Sequence, residues 1–147
     1  MNNKLHFGVS ELHKASIHRL DDARALFCAS RWRACMYVAG YSIECQFKVR
    51  LMKRYNCRNL IELEVELRDR NLLPKESTIF THSLSILLKL AQDANRLQQN
   101  LELWKAFNLV NQWVPAWRYS GDLSNRDDAN DFLKAVEQLR HWVGNNL

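Results

Sequence analysis

Apolar residues recur at helical spacing along almost the whole chain, and no stretch alternates in the manner of a strand. Leu12, Ala15, Leu20, Ala23 and Phe27 fall at intervals of three to five, which predicts a first helix capped by Ser10 and reaching about Cys28. Ser30 is placed to cap a second helix running to about Tyr55. There Cys35, Ala39, Ile43, Phe47 and Leu51 recur every four residues, with Met36, Val38, Cys45, Val49 and Met52 beside them. So wide a stripe predicts a helix covered on more than one side, at the centre of a bundle. Asn59 and Glu62 have the spacing of a capping box for a short helix through about Arg70, ended by the segment from Asn71 to Pro74. After Thr81, the residues Leu84, Leu87, Leu88, Ala91, Ala94 and Leu97 predict one continuous helix. Leu103, Trp104, Phe107 and Val110 predict another from about Leu101 to Val114, stopped by Pro115. Ala116 to Asn125 reads as a loop. The last helix is capped by Ser124 or Asn125, suits its dipole with Asp127 and Asp128, and turns Ala129, Phe132, Leu133, Val136, Leu139 and Val143 inward. Arg140, His141 and Gly144 mark its end.

Composition narrows the class. Two prolines and four glycines in 147 residues are too little punctuation for a β fold. Apolar and charged fractions of 47% and 25% are those of an ordinary globular chain. The expectation is an all-α, up-and-down bundle of about five to six helices, one domain over 1–147 with its core at about 10–145. No apolar run is long enough to span a bilayer, and Met1 to His6 lack the apolar core of a signal peptide; a cytoplasmic protein without membrane contact is expected. Cys28, Cys35, Cys45 and Cys57 form no Cys-x-x-Cys pair and read as reduced, mostly buried thiols. The histidines fall away from ligand spacing, so no metal is expected. With no glycine-rich phosphate loop either, no cofactor is expected. The net charge of +5 permits a polyanionic partner without requiring one.

Four groups of residues carry candidate chemistry. Glu44 and Lys48 are four apart on the central helix, either a helix-stabilising ion pair or a polar spot inside the bundle or at a dimer seam. His82, at a helix start, is either a structural histidine bonded near the helix end or a ligand and proton-transfer group. Arg118 and Tyr119 follow Trp117 just before the last helix, where an arginine, aromatic faces and backbone N–H groups can hold a phosphate and stack a base. The plainer alternative packs Trp117 and Tyr119 onto the bundle and leaves Arg118 in water. Arg50, Lys53 and Arg54, with Arg58 beyond them, make a basic run that either complements the C-terminal end of the helix or contacts a polyanion. The five tryptophans read mainly as core or interface residues.

Several stretches together resemble the HEPN family of small helical domains. The central helix reads Tyr37-Val38-Ala39-Gly40-Tyr41-Ser42-Ile43-Glu44-Cys45-Gln46-Phe47-Lys48, similar to that family's A-G-Y-x-x-E-x-x-x-K pattern. Ala25 to Trp32 resembles the joint between its first two helices, and Thr81-His82-Ser83-Leu84 with Leu87-Leu88 resembles its T-H-x-L-x-x-L-L helix start. Trp117-Arg118-Tyr119 and the helix from Ala129 to Val143 complete the ordered set. The resemblance implies a homodimer associated with nucleotides or RNA, working with another protein such as a minimal nucleotidyltransferase. It also implies, as an alternative, a ribonuclease of a toxin–antitoxin or defence system. Nuclease members carry Arg and His separated by four to six residues. Here His82 has Lys75 and His141 has Lys134 at the wide end of that spacing, while His6, His13 and His18 have no basic residue so placed. Lysine lacks the planar fork of arginine, and Lys134 and His141 lie two helical turns, about 10.5 Å, apart. The expectation is therefore a binding and assembly module with no catalytic residues. A divergent ribonuclease and a purely protein–protein helical adaptor stand as the alternatives.

Overall fold

A computed structural model describes residues 7–121 and 124–145. Met1 to His6, and Asp122 and Leu123 within the 116–125 connection, lie outside the described residues. The fold is an all-α bundle: α1 (Val9–Cys28), α2 (Trp32–Arg54), α3 (Leu60–Asp69), α4 (Leu84–Leu90), α5 (Ala94–Gln98), α6 (Leu101–Val110) and α7 (Arg126–Asn145), with a 3₁₀ turn at Pro115–Tyr119. No helix among the described residues is long and apolar enough to cross a membrane.

α2 is the axis. It packs against α1, α3, α4, α7 and the 3₁₀ turn, and its wide stripe buries Cys35, Ala39, Ile43, Phe47 and Leu51 completely. α1 comes close enough for reciprocal bonds: Ser16 Oγ donates to the Ser42 carbonyl at 2.8 Å, and Ser42 Oγ donates to that of Ser16 at 2.7 Å. The apolar face of α7, with Ala129, Phe132, Val136, Leu139 and Val143 buried, closes the bundle against α2 and α6.

With so few glycines, the helices stop on other residues. Ser30, Asn56 and Asn71 adopt left-handed φ of 59°, 54° and 55° after α1, α2 and α3. Each is followed by an N–H that bonds back five residues: Arg31 to Leu26 at 2.9 Å, Cys57 to Met52 at 2.8 Å and Leu72 to Leu67 at 2.9 Å. These are Schellman closures, in which asparagine and serine tolerate the conformation glycine usually supplies.

Several expected boundaries therefore move. Ser30 ends α1 instead of capping α2, whose N-cap is Arg31 without a side-chain cap bond. Ser10 lies inside α1, which Gly8 begins. There Leu60 donates to the Phe7 carbonyl at 3.0 Å and Val9 to that of Arg58 at 3.3 Å, tying the starts of α1 and α3 together. Asn59 caps α3 as expected, accepting from the Glu62 N–H at 2.9 Å; Glu62 takes the Arg58 N–H at 2.8 Å. The helix expected from Leu84 to Leu97 is broken at Gln92, φ 59°. The break lets Asp93, buried at 2% side-chain exposure, accept from Arg50 Nε at 2.6 Å. α6 ends at Val110, four residues before the expected boundary, and Pro115 opens the 3₁₀ turn where a loop was expected. Asn125 accepts from the Asp128 N–H at 2.8 Å at the start of α7, which runs past Gly144 to Asn145.

Candidate functional site

Two polar features meet on one side of α2. The deeper is built on Glu44 and Lys48, whose i,i+4 pairing places Lys48 Nζ 3.2 Å from Glu44 Oε2. Both side chains are nearly buried, 5% and 6% exposed, so the pair is a polar spot inside the bundle as well as a helix pair. The other carboxylate oxygen, Glu44 Oε1, lies 2.5 Å from Nδ1 of His82. His82 precedes Ser83, whose side chain caps α4 by accepting from the Ile86 N–H at 3.4 Å. The histidine thus bonds across the bundle to α2, not to its own helix end. Half of its ring remains exposed, with Nδ1 committed inward.

Tyr41, one turn before Glu44, joins this spot to the surface. Its ring meets the edges of His82, Trp113 and Tyr37 at centroid distances of 5.8, 4.8 and 5.2 Å. Burial, then the hydrogen bond to Tyr37, holds its phenol well above the ordinary tyrosine range. Trp113 is 3% exposed and lies close against Gly40, donating from Nε1 to the Tyr37 carbonyl at 2.9 Å. A Cβ at position 40 would fall 2.1 Å from Nε1, so the close approach is possible only over glycine.

The second feature is a cavity of about 670 Å³ between the first turn of α2 and the 3₁₀ turn. Arg31, Arg33 and Arg118 line it, together with Trp32, Tyr37 and Trp117, and none of the described lining residues is acidic. Arg33 lies over the Trp117 ring at 4.7 Å, and that ring leans on Phe132 at 5.6 Å. Trp117 is thereby committed to positioning an arginine. Arg118 lies over the Tyr119 ring at 4.7 Å. Electrostatic attraction to Tyr119, then the proximity of the Tyr37 and Tyr119 phenols, raises the Arg118 pKa further. Tyr119 is 79% exposed, so of the two aromatics only Trp117 packs onto the bundle. On the far side of Trp32, Phe27 meets its edge at 5.2 Å and carries Arg126 at 5.8 Å.

The expected candidates divide accordingly. Glu44, Lys48 and His82 come together in the buried spot, and Arg118 reaches the cavity with Tyr119 beside it. Arg50, Lys53 and Arg54 form no common basic surface. Arg50 is buried against Asp93, with its guanidinium 5.6 Å from the Trp142 ring, because its place on α2 faces the α4–α5 break and α7. Lys53 and Arg54 are exposed, Arg54 donating to Gln92 at 3.1 Å, and Arg58 is paired with Glu62 at 2.7 Å. Lys75, Lys134 and His141 are exposed. Cys35 and Cys45 are buried, with burial pushing both thiols up to about 11, while Cys57 is half-buried and Cys28 exposed. Among the described residues no group of His, Cys, Asp and Glu can hold a metal ion. Arg31, Arg33 and Tyr37 were not singled out by the sequence reading. Their signal is the triplet Arg31-Trp32-Arg33, which has the same alternation of arginine and aromatic as Trp117-Arg118-Tyr119 and faces it across the cavity.

Comparison with protein-family models, with curated proteins and with solved structures found no match.

Proposed function

We propose that the chain is a non-catalytic binding and assembly module that holds the phosphates of a nucleotide or RNA in the cavity at the start of α2. The observation that carries the reading is the convergence of Arg31, Arg33 and Arg118, with aromatic walls and no acidic residue among the described lining. Guanidinium groups match phosphate in planar, bidentate geometry. The uncapped first turn of a 23-residue helix adds backbone donors and the positive end of its dipole. A volume of about 670 Å³ is of the size that takes one small ligand. The HEPN-like pattern extends the proposal to a homodimer acting beside another protein such as a nucleotidyltransferase.

The test is binding of a fluorescent ribonucleotide oligomer and of ATP at several salt concentrations. Arg31→Ala with Arg118→Ala is expected to weaken binding at least tenfold and to flatten the salt dependence. Equal binding by the double variant would sink the assignment to this cavity. A second reading, a divergent ribonuclease, draws on the Glu44–His82 contact, because a carboxylate at Nδ1 fixes the tautomer that a proton-transferring imidazole needs. It predicts metal-independent RNA cleavage that His82→Ala abolishes; an inert purified protein dismisses it.

A further inference from the structure

The exposed arginines differ in what they meet. Arg19, Arg24, Arg58, Arg68, Arg70 and Arg96 each reach a carboxylate at 2.6–3.6 Å, and Arg54 takes the Gln92 amide oxygen. Arg31, Arg118 and Arg126 are exposed as well but pair with no carboxylate among the described residues, although Asp127 and Asp128 directly follow Arg126 on α7. All three gather at one place. Arg31 and Arg118 line the cavity. Arg126 is joined to its wall through two rings: it lies over Phe27 at 5.8 Å, and Phe27 meets Trp32 at 5.2 Å. Arg118 in turn lies over Tyr119 at 4.7 Å. A guanidinium held over a ring still has N–H groups to give to an oxygen ligand.

Phe27, Arg126 and Tyr119 do not themselves line the cavity. Tyr119, at 79%, is the most exposed of the large apolar side chains described, so its ring stands largely in water. A ligand that ends inside the cavity touches neither place. A chain that continues past the cavity mouth meets an unpaired cation beside Phe27 and an exposed ring at Tyr119. Charge that tracks phosphates, interleaved with rings on which bases stack, is the chemistry that holds a single strand. On the footing of the binding role proposed above, we infer that the ligand is a single-stranded oligonucleotide that extends out of the cavity, with Arg126 meeting a phosphate and Tyr119 stacking a base outside it. A free nucleotide fills the cavity and leaves both unused.

The experiment is titration calorimetry on the whole chain with three probes: UMP, a hexauridylate RNA and a short RNA duplex. The hexamer is expected to bind at least about tenfold tighter than UMP, the factor that one stacked base supplies. Arg126→Ala and Tyr119→Ala, both changes of exposed side chains, should each remove much of the hexamer's advantage over UMP. Arg126→Ala should also lower the slope of log affinity against log salt by about 0.7, one phosphate contact on a single strand. Equal affinity for UMP and the hexamer overturns the inference while leaving the binding role standing. So does a duplex that binds as tightly as the hexamer, or a pair of variants that keep the parent's affinity and slope. Failure of all three probes to bind overturns both.

Discussion

Gly40→Ala separates what helix propensity predicts from what packing predicts, because the two differ in sign. In the interior of an exposed helix, replacing glycine by alanine stabilises by about 1 kcal/mol. At position 40 the new methyl would meet Nε1, Cδ1 and Cε2 of Trp113 at 2.1, 2.3 and 2.3 Å, where ordinary contact begins at 3.4 Å. All three atoms belong to one rigid indole, so the ring must retreat by more than about 1 Å from a close-packed interior. Overpacking of this kind costs about 1–3 kcal/mol. The displaced indole also loses its bond to the Tyr37 carbonyl, 2.9 Å in length and worth about 0.5–1.5 kcal/mol. Set against the propensity gain, the net expectation is a destabilisation of about 1–3 kcal/mol. Urea denaturation followed by far-ultraviolet circular dichroism measures it, with Trp113→Leu and the double variant completing a cycle. The reasoning requires that Gly40→Ala cost little once Trp113 is already leucine. A Gly40→Ala protein as stable as the parent, or more so, refutes the placement of Trp113.

Asp93→Ala should cost about 3–5 kcal/mol in the same denaturation assay, because it strands the Arg50 guanidinium at 5% exposure; pairing it with Arg50→Met should recover most of the loss. Asn59→Ala removes the side-chain acceptor for the Glu62 N–H and is expected to lower stability by about 1 kcal/mol, while Ser10→Ala, inside α1, should cost no cap energy. Alkaline pH should destabilise the fold through its buried thiols. Cys35 and Cys45 ionise near 9.0 when unfolded and near 11 when folded, so between those values the folded state binds more protons and stability falls as pH rises. Flattening of that decline in Cys35→Ala/Cys45→Ala checks it. In native protein, Cys28 should be alkylated ahead of Cys35 and Cys45.

The helices were legible in the sequence because burial imposes a period on whichever residues fill a face, and that period needs no knowledge of the neighbour. Their ends were harder to read. Ser30 illustrates why: a serine suits a helix start and also tolerates the left-handed turn that stops one, and the local sequence does not say which. The break at Gln92 was hidden for another reason. Leu84 to Leu97 keep an unbroken apolar face, and what interrupts the helix is Asp93 turning inward to meet Arg50, a partner 43 residues away.

The same distinction decides how much of the candidate site was visible. Glu44 and Lys48 could be paired from their spacing because both stand on one helix, whereas His82 reaches Glu44 across 38 residues. Arg50 failed as a surface cation because charge along a helix says nothing of which turn faces the interior. The cavity is a relation between two short segments, residues 31–37 and 117–118, brought together by the α1–α2 joint on one side and the 3₁₀ turn on the other. Alone, the first reads as the start of a helix and the second as part of a loop, each with an arginine and an aromatic. Gly40 is the residue that converts them into a site: by admitting Trp113 against α2, it fixes the carbonyl of Tyr37 and the ring of Tyr41 from beneath. A glycine in mid-helix, costly by propensity and without a turn to justify it, was the one local sign that another element closes on α2 there.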